Sequence, residues 1–218
     1  MCAPRPPRNN LALLMGALAV VVPPTLGQPV NDDCEDAILI GEGTHPFSTI
    51  GATTDGPSPC AEQGADIWFR HRAEFNGTLT ASTCTPALTF DTVLGLYNFP
   101  LNPRDCPGTF RSCNDDDNVS CQAAGSTVRR LRVAPHDELL IQVGGHDAEE
   151  GEGELVIASC PGDFDTDGVI SLTDLALLVS DLGPGCGAEP CPTDMDGDDD
   201  VDLVDLAMLL SLFGADCP

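Results

Sequence analysis

The chain has no lysine, and its nine basic residues are all arginine. From Cys160 to Pro218 there is neither lysine nor arginine, although 14 acids fall in that stretch. A chain of formal charge −26 repels nucleic-acid phosphates and anionic membranes, and it attracts divalent cations. Aromatics are sparse, with one Trp, one Tyr and eight Phe. That is thin for a sugar-binding face built from ring platforms. His45, His71, His136 and His146 are scattered without metal-ligand spacing, and no nucleophile elbow or phosphate loop is present. Carboxylates are so abundant that no single pair stands out as a glycosidase couple. The chain therefore reads as non-catalytic; a cryptic hydrolase, suggested only by the abundant carboxylates, is the other reading.

Long apolar runs are also missing after residue 22. The run Leu11 to Val22 follows Arg5 and Arg8 and has the length of a secretory signal, with a cleavage point near Gly27. Residues 1–27 are thus expected to be a signal peptide; a retained N-terminal anchor is the other reading. Export places the protein outside the cell or on its surface, with no membrane-spanning segment in the mature chain. Of 11 cysteines only Cys2 lies in that leader, and an even number in an exported chain predicts disulfides.

Residues 31–159 lack helical periodicity. Short strand-like runs stand between Gly, Pro, Asn and Asp clusters: Asp66–Ala73, Gly77–Thr83, Thr92–Tyr97, Thr127–Val133, Glu138–Val143 and Gly153–Ala158. The spacing predicts an antiparallel β-sandwich of seven or eight strands, making the fold mainly β. Thr78, Thr80 and Ser82 alternate with Leu79, Ala81 and Thr83, as in a strand with one wet face. Sequential disulfides 34–60, 84–106 and 113–121 are expected to staple the loops. Trp68 is a core residue or a sugar platform. Asn114 to Asn118 is a polar hairpin loop or, with Asp32 or Asp33, a further calcium site.

The boundary is predicted at Ser159–Cys160, and residues 160–218 hold two copies of one pattern, 31 residues apart. The first loop runs Asp163-Phe-Asp165-Thr-Asp167-Gly168-Val169-Ile-Ser171-Leu-Thr-Asp174, the second Asp194-Met-Asp196-Gly-Asp198-Asp199-Asp200-Val-Asp202-Leu-Val-Asp205. Acids stand at loop positions 1, 3, 5 and 12, and an oxygen-bearing side chain at position 9. A cation of calcium's size takes six to eight oxygens, which this spacing wraps around one point. An apolar helix pattern follows each loop: Leu172, Leu175, Ala176, Leu178, Val179 and Leu182, then Leu203, Leu206, Ala207, Leu209, Leu210 and Phe213. The two faces are expected to pack together, with Gly183 and Gly214 ending the helices. Cysteines repeat with the loops, which favours Cys160–Cys217 with Cys186–Cys191. With no basic residue to offset its acids, this tail is expected to fold with its metal.

These paired loops, each followed by one helix and closed by Asp at position 12, resemble a type I dockerin. The resemblance implies two calcium ions, a small helical module, and docking to a cohesin-like or other cell-envelope protein. It also implies the company of polysaccharide-degrading systems, so an accessory role on polysaccharide is the alternative. Carried over by position, the ligands would be Asp163, Asp165, Asp167, the Val169 carbonyl, Ser171 and Asp174, then Asp194, Asp196, Asp198, the Asp200 carbonyl, Asp202 and Asp205. Loop positions 10 and 11, usually Ser or Thr in cohesin binders, are Leu172-Thr173 and Leu203-Val204 here. The front segment, through Asn31-Asp32-Asp33-Cys34, Asp66-Ile67-Trp68-Phe69, Phe90-Asp91-Thr92, Cys113-Asn114-Asp115-Asp116 and Leu140-Ile141-Gln142-Val143-Gly144-Gly145, is similar to secreted bacterial β-sandwich modules of the prepeptidase C-terminal type, a resemblance that implies a jelly-roll-like, non-catalytic domain for surface binding or spacing.

Overall fold

The computed structural model describes residues 27–218 apart from Pro59, Ser120, Gln122, Ala123 and residues 185–190. All but the last residue of the expected signal peptide lies outside the described residues, as does Cys186.

Among the described residues nine strands, where seven or eight were expected, and two helices follow one another: β1 (Ile38–Ile40), β2 (Gly43–Ser48), β3 (Gln63–Arg72), β4 (Gly77–Ser82), β5 (Thr92–Asn98), β6 (Thr109–Asn114), β7 (Thr127–Val133), β8 (Glu138–His146), β9 (Glu152–Pro161), α1 (Leu172–Asp181) and α2 (Leu203–Leu212). The strands form two sheets, ordered β1-β3-β8-β5-β6 and β2-β9-β4-β7. Alternate residues of both sheets point into one shared core. Ile67, Phe69, Leu94, Leu96, Leu139 and Ile141 come from the first sheet, and Phe47, Leu79, Ala81, Val128, Leu155 and Ile157 from the second. This is the packing of a sandwich.

Two expectations need correction. The sheets are not wholly antiparallel, because β1 pairs with β3 in parallel, Ile38 opposite Phe69. After Ile40 the chain crosses to the other sheet as β2, so no hairpin forces β1 to run against its neighbour. Nor are the front disulfides sequential: they join Cys34 to Cys106, Cys60 to Cys113 and Cys84 to Cys121. Each ties segments that tertiary folding makes adjacent, not the two ends of one loop. Cys160–Cys217 is present, and Cys191 is disulfide-bonded.

On the outer face of the first sheet, Trp68 is fully buried beside Tyr97, their rings 5.9 Å apart, which leaves no sugar platform there. Asp66 lies in the same layer. Its carboxylate accepts from Gln142 Nε2 (2.9 Å) and the Asp55 amide (3.2 Å), and Gln142 Oε1 accepts from the Tyr97 hydroxyl (2.9 Å). Desolvation, reinforced by the Asp55 carboxylate, pushes Asp66 up to about 6 against these bonds.

β9 continues through Cys160 and Pro161, past the boundary expected at Ser159, and leads directly into the first acidic loop. The helices occupy the predicted spans, but not all their apolar residues face inward. Leu178 and Leu209 are fully buried, with Leu175 and Leu206 half-buried, whereas Leu172, Val179, Leu182 and their counterparts 31 residues on are exposed. Loop residues Phe164, Ile170, Met195 and Val201 occupy the remaining core space. Gly214 ends α2 with φ +82°, but Gly183 has no positive φ and instead pairs with Val201.

Folding raises the Asp66 pKa above its ordinary 3.8, so the folded chain keeps a proton that the unfolded chain has lost. The group therefore lowers stability as pH rises from about 4 to about 6. Asp66→Asn is expected to flatten that part of the fall, read in chelator as the change in urea midpoint between pH 4.5 and 7. An unchanged fall would show that Asp66 does not titrate in this window.

Candidate metal centre

Each acidic loop is wound around its own carboxylates. In the first, Asp174 Oδ1 accepts from the Phe164 and Asp165 amides (2.8 and 3.2 Å) and Oδ2 from the Ser171 amide (2.9 Å). Asp163 Oδ1 accepts from Gly168 (3.4 Å), Asp165 from Asp167 (3.1 Å) and Asp167 from Val169 (2.8 Å). The second loop follows suit. Asp205 accepts from the Met195 and Asp202 amides (2.6 and 2.7 Å), Asp194 from Gly197 and Asp199 (2.7 and 3.0 Å), and Asp198 from Asp200 (3.2 Å).

Position 9 starts each helix. Ser171 Oγ accepts from the Thr173 amide, Asp202 Oδ1 from the Val204 amide, and Asp174 or Asp205 bonds back to complete a capping box. The twelfth residue thus closes the loop and caps the helix together. Position 6 needs φ > 0, and Gly168 (+89°) and Asp199 (+72°) both adopt it. Each loop is also bonded to the chain beyond the other repeat's helix: Gly214 donates to Ile170 O (2.8 Å) and Gly183 to Val201 O (3.1 Å). Two loops so joined form one unit of pseudo-twofold symmetry.

The structure gathers Asp163, Asp165 and Asp174 in one group, and Asp194, Asp196 and Asp205 in another, each with ligand oxygens within 4.8 Å of one another. The carboxylates of Asp200, Asp202 and Asp205 form a third group. Asp167 and Asp198 stand in neither main group. Asp163, Asp174, Asp194 and Asp205 are buried. Asp165 and Asp196 are pushed above the usual carboxylate range, by desolvation first and then by neighbouring carboxylates. A cation among them would relieve that repulsion.

The donor set suits a hard cation. Every candidate side-chain ligand is an oxygen, and the nearby sulfurs of Cys160 and Cys217 are bonded to each other. The same holds for Cys84 and Cys121 beside Asp117. In the Asn114 to Asn118 loop, Asp117 instead pairs with Arg129, while Asp32 accepts from the Thr53 amide and hydroxyl.

Sequence reasoning missed the residues that hold the loops from outside. Thr78 Oγ1 donates to Asp163 Oδ2 (3.0 Å), and Thr80 Oγ1 to the Pro218 carbonyl (3.1 Å). Both threonines are buried, so the face read as wet is covered by the tail. Asn76 Nδ2 donates to the Cys191 and Asp194 carbonyls, Arg132 to the Phe164 carbonyl, and Arg130 to the Thr166 carbonyl. No local pattern in the sequence marks these contacts.

No known family pattern matches the chain, and no curated protein matches it. Among solved structures it is similar to the pre-peptidase C-terminal domain of a collagenase from Bacillus anthracis, at 12% identity and TM-score 0.38, covering 56% of this chain and 93% of that one. It is also similar to CorA, a surface-associated copper-binding protein of Methylomicrobium album BG8, at 6% identity and TM-score 0.36, covering 57% and 100%. A third is PliG, a periplasmic inhibitor of g-type lysozyme from Aeromonas hydrophila, at 10% identity and TM-score 0.33, covering 57% and 97%. Likeness at this level assigns no function.

Left-handed backbone is costly for any residue with a Cβ. Asp199→Gly is expected to stabilise the tail by about 1 kcal/mol, while Gly168→Ala destabilises it by at least as much. A Cβ at Gly168 would also run into the Arg130 guanidinium. Thermal melts followed by helical circular dichroism measure both; equal effects of like sign would refute the assignment.

Proposed function

We propose that this is an exported, non-catalytic protein whose dockerin-like tail (residues 160–218) binds two calcium ions and presents its helices to a partner in the cell envelope or matrix. The sandwich (residues 31–159) serves as the displayed or spacing unit. The observation that carries this reading is the duplicated loop, whose first, third and twelfth acids converge in both copies. The ligands are those the dockerin resemblance supplies. Asp163, Asp165, Asp167, Ser171 and Asp174 with the Val169 carbonyl serve the first ion. Asp194, Asp196, Asp198, Asp202 and Asp205 with the Asp200 carbonyl serve the second. Calcium fits better than magnesium because many flexible oxygens surround each point, whereas magnesium keeps a strict octahedron and several waters.

Bound calcium supplies positive charge that a chain segment without lysine or arginine cannot. The carboxylates then hold loop and helix in one geometry. The outer helix faces carry matched apolar residues: Leu172 and Leu203 are 72% and 74% exposed, and Val179 and Leu210 are 50% and 51% exposed. Apolar patches ringed by acids suit a partner with an apolar surface and a basic rim, such as a cohesin-like protein. The alternative of a polysaccharide accessory gains no aromatic platform, since Trp68 is buried.

Calorimetric titration of the full oxidised chain with calcium, with magnesium as control, tests the reading. Two calcium sites with a gain in helical signal are expected, falling to one in Asp163→Asn and in Asp194→Asn. A flat titration would overturn it.

A further inference from the structure

We infer that the first acidic loop is also an internal joint: ion binding there locks the tail onto the sandwich, with Thr78 as the positioning residue, while the second loop leaves that joint unchanged. This rests on the calcium reading of the loops, and four observations carry it.

The first is the bond to the ligand itself. Thr78 and Asp163 are 2% and 1% exposed, and the Thr78 hydroxyl donates to the Asp163 carboxylate at 3.0 Å. A hydroxyl that occupies Oδ2 orients the carboxylate that opens the loop. In the second loop the sandwich makes no such contact among the described residues. Asn76 reaches only the Asp194 carbonyl, and Pro135 lies against Gly197.

The second is a bulge built into the edge strand. Across from Thr80, β7 places two residues, Arg129 and Arg130, where a regular ladder would place one. Arg130 takes φ +51°, and its guanidinium lies against Gly168 while donating to the Thr166 carbonyl. Bulges re-aim side chains, and this one aims a cation at the acidic loop at the expense of left-handed backbone. Arg132, from the same strand, reaches the Phe164 carbonyl.

Covalent closure is the third. Thr78 stands opposite Cys160 in the β4–β9 ladder, and Cys160 is bonded to Cys217. The hydroxyl, the disulfide and the Asp163 carboxylate therefore meet at one point, with Cys217 Sγ 3.7 Å from Asp163 Oδ2. The fourth is burial. Gly168 is buried and Asp165 half-buried in the first loop, whereas their counterparts Asp199 and Asp196 in the second are exposed.

Anything that binds only the folded arrangement stabilises it, so calcium at the first loop must raise the stability of the sandwich to which the loop is bonded. Trp68, the one tryptophan, is buried in that sandwich and reports its unfolding by fluorescence. In the full oxidised chain, calcium is expected to raise the urea midpoint read at Trp68. Thr78→Val, which keeps the shape and removes the donor, is expected to weaken one of the two calcium sites roughly five- to tenfold and to cut the rise by more than half. Arg132→Met serves as the second variant should Thr78→Val fail to fold, with a reduced rise expected. Asp194→Asn is expected to lose one calcium ion and keep most of the rise. Two bound ions with an unmoved Trp68 midpoint would overturn the joint while leaving the calcium reading intact. So would a rise that is undiminished in the folded joint variants, or one abolished by Asp194→Asn. No calcium binding by the unaltered chain would sink both.

Discussion

Repulsion among clustered carboxylates is the constraint around which the tail is organised. Asp163, Asp165 and Asp174 crowd one point, and Asp194, Asp196 and Asp205 another, with no basic residue in the segment that carries them. Backbone amides offset part of this charge, because the loops curl so that N–H groups point at carboxylate oxygens. Amides carry partial charges only, and desolvation followed by the neighbouring carboxylates raises the Asp165 and Asp196 carboxyls above their ordinary values. The rest must come from outside the segment, as a cation or from the sandwich. The sandwich supplies part of it at the first loop, where Arg130 and Arg132 reach backbone carbonyls beside the acids.

That arrangement explains why so few charged residues serve so many roles. Asp174 and Asp205 close a loop and cap a helix with the same two oxygens. Helices of ten residues are marginal alone. Here their first turns are set by the loop carboxylates and their inner faces by a core shared with Phe164, Met195, Ile170 and Val201. Loop geometry and helix packing are therefore one cooperative problem, and a change at a ligand is felt in the helix that follows it.

What could be read in advance was local. The six strands with alternating or continuous apolar runs emerge within a few residues of their expected ends, as do both helices, because period and capping residues act over one or two turns. β1, β2 and β6 escaped notice since Ile38–Ile40 is too short and Gly43–Ser48, with its proline, breaks the pattern. Thr109–Asn114 is an edge strand with no fully buried residue. The three front disulfides differ from expectation for the same reason in reverse, since Cys34 and Cys106 are 72 residues apart and meet only through tertiary packing, whereas Cys160–Cys217 follows from the repeat. The gathering of Asp163, Asp165 and Asp174, and of Asp194, Asp196 and Asp205, was legible because a loop of twelve residues encodes its own geometry. The seat of that loop was not, because Thr78 and Asp163 are far apart in the chain and the threonine looks like any wet-face residue of a strand.

The pseudo-twofold symmetry of the repeats is real in the sequence and broken by the sandwich. Equivalent positions bury equivalent core residues, Phe164 with Met195, Ile170 with Val201 and Leu178 with Leu209. Yet among the described residues only one loop has a sandwich hydroxyl on its opening carboxylate. A duplicated unit standing alone would present two equal faces. Once one copy is seated on the sandwich by Thr78, Arg130 and Cys160–Cys217, the copies stop being interchangeable. One loop becomes part of the architecture, and the other, more exposed, stays free to change. The Asp199 backbone, strained where Gly168 is not, fits that division, since strain is tolerated where less of the fold depends on it.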